Sequence, residues 1–284
     1  MTIYILTLTF APMLRFYKHI MILLGLFAAG FSVAGQTAQA LKPLFQVDTA
    51  IKFTRIDPLQ NLYVITELNT VIKYDSLGHA ISSQDLKNYG EIDGLDVTNP
   101  LQPVFFYSKS NTYVFTDNNL YAISSKSIDH SIIGQFAIAA VSSNGDGIWF
   151  FDATDATIKE LNPSQQIIAT SQDFSKFGIS DLTPTYMIEK LPWLYVSVPD
   201  AGLLVFDSYA AYSKTLFLTG IGNFQIFKNN IVYYAKGKLN YYDLKTKELK
   251  TVTLPFDTEG VTDVKVSPGR IWVQTKNGIK VYNY

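Results

Sequence analysis

The sequence predicts an all-β fold, a six-bladed β-propeller whose ring is closed by its N-terminal mature strand, with a β-sandwich or barrel as the alternative. Three observations predict it. An aromatic hairpin recurs six times, its spacing fits a four-stranded blade, and one strand near the start has no partner within its own repeat.

The hairpin is clearest at Asn230–Asp243, which reads as strands Ile231–Tyr234 and Leu239–Tyr242 joined at Lys236-Gly237-Lys238. Gly237 takes positive φ without strain, as tight hairpin turns require, and Tyr, Val and Ile suit a pleated surface. Six strand ends share a marker, an apolar or aromatic residue followed by a small polar one: Tyr74-Asp75, Ile123-Ser124, Leu161-Asn162, Phe206-Asp207, Tyr242-Asp243 and Tyr282-Asn283. Their second residues are 49, 38, 45, 36 and 40 positions apart, about 42 on average, as expected of propeller blades. A turn residue precedes each marker (Asn69, Asn119, Asp155, Gly202, Gly237, Gly278), and these types tolerate left-handed backbone.

The aromatic-rich strands before those turns are Leu62–Ile65, Tyr113–Phe115, Ile148–Phe151, Leu194–Val196, Ile231–Tyr234 and Ile271–Val273. Upstream of them the pattern places Ile51–Ile56, Val104–Tyr107, Ala137–Ser142, Thr185–Ile188, Phe224–Phe227 and Val261–Val266. Downstream it places Ala80–Leu86, Ser131–Phe136, Gln166–Ser171, Lys214–Thr219 and Lys250–Leu254, with no sixth member before Tyr284. The unmatched strand Leu44–Asp48 is expected to fill that place beside Ile279–Tyr282, pairing backbone groups otherwise orphaned at the seam. The middle strands are nearly continuous apolar runs, as burial on both faces demands, whereas a sandwich predicts cleaner alternation.

Residues 1–40 contain no Asp or Glu. Arg15, Lys18 and His19 precede the apolar run Ile20–Val33, and Ala38-Gln39-Ala40 fits a small-x-small cleavage site, so this segment reads as a signal peptide. The run is shorter than the ~20 residues of a membrane span. The expected location is periplasmic or extracellular, with an uncleaved N-terminal anchor as the alternative, and Met13 is a better-placed start than Met1. Residues 41–284 read as one propeller domain.

The formal net charge of −1 gives no basic footprint, which argues against a nucleic-acid partner. The absence of cysteine excludes disulfides, thiolate zinc sites and cysteine nucleophiles. His79 and His130 are isolated and read as surface residues, and no Gly-x-Ser-x-Gly elbow supports a serine triad. Asn144-Gly145-Asp146-Gly147, with Asp152 and Asp155, lacks the spacing and closing Glu of a calcium loop. No metal or cofactor is expected. The candidate binding residues are Glu91, Asp93, Asp96 and Asn99 in the insert Lys87–Gln102 between the first two blades, where three carboxylates precede a rigid Asn-Pro. A second insert is Phe174–Thr183, between blades three and four.

The hairpins and the ring closure resemble NHL-, YncE- and WD40-like six-bladed propellers over residues 44–284, without the Gly-His and Trp-Asp signatures of WD40 repeats. The stretches Ile92–Pro100, Gly147–Asp152, Trp193–Val196 and Gly202–Asp207 are similar to uncharacterised exported propeller-like proteins of Bacteroidetes-type bacteria, a resemblance that implies the fold and an exported location but no activity. The expected function is a non-enzymatic binding or scaffold protein of the periplasm or envelope, with a protein or envelope component as partner. The alternative is a propeller hydrolase or lyase acting on envelope sugars or lactones. Three polar side chains converging on the central channel would point to the enzyme, and a small, apolar lining to binding.

Overall fold

The computed structural model describes residues 41–143, 147–177 and 183–283. The expected signal peptide, residues 144–146 of the calcium-like stretch and residues 178–182, half of the second insert, lie outside them. Among the described residues no helix is long and apolar enough to cross a membrane.

Strand β1 (Lys42–Asp48) leads into blade one, β2 (Ile51–Ile56), β3 (Leu62–Thr66), β4 (Thr70–Tyr74) and β5 (Ala80–Asp85). Blade two is β6 (Gly94–Asp96), β7 (Val104–Tyr107), β8 (Thr112–Thr116) and β9 (Ala122–Ser127); blade three is β10 (Phe136–Val141), β11 (Ile148–Asp152), β12 (Thr157–Leu161) and β13 (Ile167–Thr170). Blade four is β14 (Tyr186–Lys190), β15 (Trp193–Val198), β16 (Gly202–Asp207) and β17 (Tyr212–Leu216); blade five is β18 (Gln225–Phe227), β19 (Asn230–Ala235), β20 (Lys238–Asp243) and β21 (Leu249–Thr253). Blade six is β22 (Val261–Ser267), β23 (Arg270–Thr275) and β24 (Gly278–Asn283), completed by β1. Each sheet has four antiparallel strands in simple sequence order apart from this last.

The closure forms as the leftover strand requires. β1 pairs antiparallel with β24, Phe45 opposite Val281, Val47 opposite Ile279 and Asp48 opposite Gly278, with a bulge between Pro43 and Phe45. Phe45 meets Trp272 edge-on at 5.9 Å, locking the added strand onto the blade.

Middle strands carry the core. Every residue of β3, β11 and β12 is buried, whereas the outer strands β5, β9, β13, β17 and β21 are largely exposed. Aromatic rings pack within and between blades: Phe150 lies 5.2 Å from Phe136 of its own blade and 6.4 Å from Phe106 of blade two, and Phe174 stacks on Phe206 of blade four at 5.4 Å.

Blade two differs from expectation by one strand. Val104–Tyr107, read as its innermost strand, is the second. The innermost is Gly94–Asp96, inside the stretch read as a loop. Ala122–Ser127 is the outer strand, with Ile123 exposed, and the strand expected at Ser131–Phe136 is mostly a connection that reaches β10 only at Phe136. The cause is local. The second turn of blade two is made by Asn111 at φ 48°, without a glycine, and three residues of β6 are too few to show a period.

In blades one to four a side-chain-capped turn joins the third and fourth strands. Asp75 Oδ1 accepts N–H bonds from Leu77 and His79; Asp117 does so from Asn119 and Tyr121, Asn162 from Ser164 and Gln166, and Asp207 from Tyr209 and Ala211. Each turn then needs positive φ at its fourth residue, at Gly78, Leu120, Gln165 and Ala210. In blade two the marker is therefore Thr116-Asp117, not Ile123-Ser124.

Candidate ligand site in the central channel

The six innermost strands surround the channel. A cavity of about 320 Å³ opens at the end where these strands turn back into the second strands, lined from β2, β6, β14, β18 and β22. Its charged and aromatic lining includes Arg55, Asp96, Tyr186, Asp263 and Lys265. Leu95, Ile188, Phe224 and Val264 supply apolar wall between them.

Arg55 is fixed before any ligand arrives. Its Nε donates to the Leu95 carbonyl at 3.2 Å and Nη1 to the Thr54 carbonyl at 3.0 Å. The guanidinium carbon lies 4.6 Å from the Tyr186 ring and 5.0 Å from that of Phe53. Among the described residues no carboxylate forms an ion pair with it. Tyr186 is steadied from its other side by Phe224, edge-on at 5.2 Å. Burial pushes its phenol above the ordinary value; Arg55 pulls the other way, and Asp96 and Asp263 add to the rise, so it is a hydrogen-bond donor at neutral pH.

Lys265 and Asp263, two residues apart on β22, project together and form an ion pair. The lysine also reaches Thr54 Oγ1 at 3.4 Å, and Thr54 in turn donates to Gln274 at 2.7 Å. Burial lowers the Lys265 ammonium, the Asp263 carboxylate works against that, and Arg55 adds to the lowering. At the rim, Asp57 is 3% exposed and accepts from the Leu59 and Asn61 N–H groups, from the Asn61 amide and from the Tyr63 hydroxyl. It makes a rigid wall rather than a free acid.

The structure separates the residues picked from the sequence. Asp96 sits on β6, with Oδ2 accepting from Val141 N–H at 2.9 Å and Oδ1 accepting from the Thr98 N–H and hydroxyl, which ties blade two to blade three. Asn99 caps an exposed turn by accepting from Leu101 N–H. Both line a further cavity of about 280 Å³ with Thr98, Gln102, Ser142 and Ser143. Glu91 and Asp93 precede β6, at the other end of that strand. Glu91 pairs with Lys109 and with Lys52, which hold its carboxyl down at about 2. Asp93 accepts from Ser108 N–H and hydroxyl and lies 3.8 Å from Lys52.

His79 bonds to Asp75, and His130 Nδ1 lies 2.6 Å from the Gly134 carbonyl, far apart in sequence and on separate turns. Asp152 and Asp155 both engage Lys159, at 2.7 and 2.6 Å, so an ammonium already stands between them. Among the described residues no three or more His, Asp or Glu side chains gather as a metal centre. Sequence reasoning missed Arg55, Tyr186, Asp263 and Lys265. The signal available was a charged or phenolic residue inside the first strand of a repeat, where a purely structural strand would be apolar.

No family model matches the sequence, and no curated protein matches it. Solved structures do match in shape. The WD40 domain of Neurospora crassa Pan2 aligns with a TM-score of 0.62 at 9% identity, covering 86% of this chain and 95% of that one. Virginiamycin B lyase from Staphylococcus aureus aligns at 0.59 with 8% identity over 86% and 100% of the two chains, and a streptogramin B lyase at 0.54 with 10% identity over 81% and 78%. At such identities the likeness shows a propeller fold and nothing finer; the count of six blades comes from this chain's own sheets, and the chemistry rests on its own side chains.

Proposed function

We propose that this propeller is a non-enzymatic binding protein of the periplasm or cell envelope, which takes a small polar ligand into the mouth of its central channel. The observation that carries the reading is Arg55, a cation stacked between two aromatic rings at the cavity wall with no carboxylate partner among the described residues. Arg55, Asp96, Tyr186, Asp263 and Lys265 converge there, the arrangement that would mark an enzyme. Their hydrogen bonds favour binding instead. Asp263 is engaged by Lys265, Asp96 by the blade-three backbone, and Arg55 by two carbonyls, so each is held in place as a recognition element. The export expected from residues 1–40 supports the location.

The test is retention of small molecules from envelope extract on the immobilised protein, identified by mass spectrometry. The wild type should retain a compound bearing an acidic or strongly accepting group. Arg55→Ala should lose it by roughly tenfold or more in affinity, the effect of one charged hydrogen-bonded anchor. Equal retention by Arg55→Ala would remove the channel mouth as the site. A lyase or hydrolase is the second reading, favoured by Lys265, whose ammonium burial weakens beside the Tyr186 phenol. Conversion of the retained compound, abolished in Lys265→Met, would establish it over binding.

A further inference from the structure

We propose that Glu160 and Glu189, which approach each other between blades three and four, form a buried site for a hard divalent cation of the calcium type. Glu160 on β12 is 5% exposed and Glu189 on β14 is 4% exposed. Among the described residues neither forms an ion pair with Lys, Arg or His. Two carboxylates out of water without a counter-charge are costly, and a cation held between them removes that cost.

The surroundings fit a ligand. Glu189 Oε2 accepts from the Ser142 hydroxyl at 3.2 Å and from Ser143 N–H, but its Oε1 is buried with no partner among the described residues. Ser142 also faces Glu160, so its hydroxyl lies between the two acids. A second orphan lies alongside. Trp149 is fully buried, pairs directly with Glu160 across the β11–β12 ladder, and has an indole N–H with no acceptor among the described residues. Gly147 keeps the space beside the acid open, since a Cβ there would stand 2.5 Å from Glu160 Oε1. The 280 Å³ cavity lined by Ser142, Ser143 and Gly147 offers the way in.

The donors are all oxygen, which selects a hard cation, and calcium tolerates irregular shells completed by water. Two carboxylates and a hydroxyl are fewer protein ligands than tight calcium loops supply, so affinity should fall at about 10⁻⁴–10⁻³ M, as in extracellular modules.

The experiment uses the purified protein stripped with EGTA. Calcium chloride at tenfold excess over Kd should raise Tm by about 3–6 °C. Terbium should give saturable luminescence on tryptophan excitation, displaced by calcium. Glu160→Gln and Glu189→Gln should each lose both responses, while Glu91→Gln, at another cluster, keeps them. Trp149→Phe should lose the luminescence and keep the Tm shift, so the wild type and this variant still decide the matter if a Gln variant does not fold. A wild type without either response overturns the proposal. So does a Tm indifferent to calcium that climbs on acidification, which would assign a shared proton to the pair instead.

Discussion

At the residue scale, single polar side chains decide whether the connections hold. Asn69 and Asn111 occupy the same place in blades one and two, each with positive φ in the turn between second and third strands. Each then grips the chain entering the next blade, Asn69 through Gly90 O and Ile92 N–H, Asn111 through Ile133 O and Phe136 N–H. Asp152 does comparable work in blade three. It accepts backbone N–H bonds from Gly134, Gln135 and Thr154, and Lys159 reaches it at 2.7 Å. Burial opposes its charge, but the lysine and these donors outweigh burial and hold the carboxyl below its ordinary value. A carboxyl lowered on folding stabilises the native state above its unfolded pKa and loses that contribution as pH falls through the folded value. Asp152→Asn should therefore cost about 2–4 kcal/mol at neutral pH, and chemical denaturation from pH 5 down to about 2 should show a smaller acid loss than in the wild type. Identical acid limbs in the two proteins would refute that role.

At the scale of the element, β1 is the strand on which the ring depends. It is mostly exposed, yet Val47 is buried against Ile279 and Phe45 covers Gly78, where any Cβ would lie 2.5 Å from the ring. Val47→Asp buries an unpaired charge at the seam and should destabilise by about 2–4 kcal/mol in urea. Lys42→Ala, exposed on the same strand, should stay within about 0.5 kcal/mol of wild type. Comparable losses from both would mean that the seam does not depend on this buried register. The closing strand was legible in the sequence because it was left over after the repeats were counted. The innermost strand of blade two was not, because Gly94-Leu95-Asp96 carries one buried apolar residue and its neighbours look like turn chemistry.

At the scale of the molecule, a closed ring gives every blade two packed neighbours, and loss of one exposes both interfaces. Trp149, Trp193 and Trp272 lie in blades three, four and six. Variants that keep one tryptophan at a time, each replaced elsewhere by Phe, should show unfolding midpoints that move together with the far-ultraviolet signal. Separate midpoints would mean that blades melt as independent units. The channel belongs to this scale as well. Arg55 and Lys265 are 210 positions apart and share one cavity only because the first and last blades meet.

The chain by itself determined the class of fold, the number of blades and the closing strand, because aromatic periodicity and turn residues are local properties repeated often enough to count. It singled out Asp96 and Asn99 for their composition, and both do line a cavity, but it had no means of grouping Arg55 with Tyr186, Asp263 and Lys265, or Glu160 with Glu189. Those groupings were decided only when six sheets packed around one axis, since burial and the charge a group faces are set by neighbours distant in sequence.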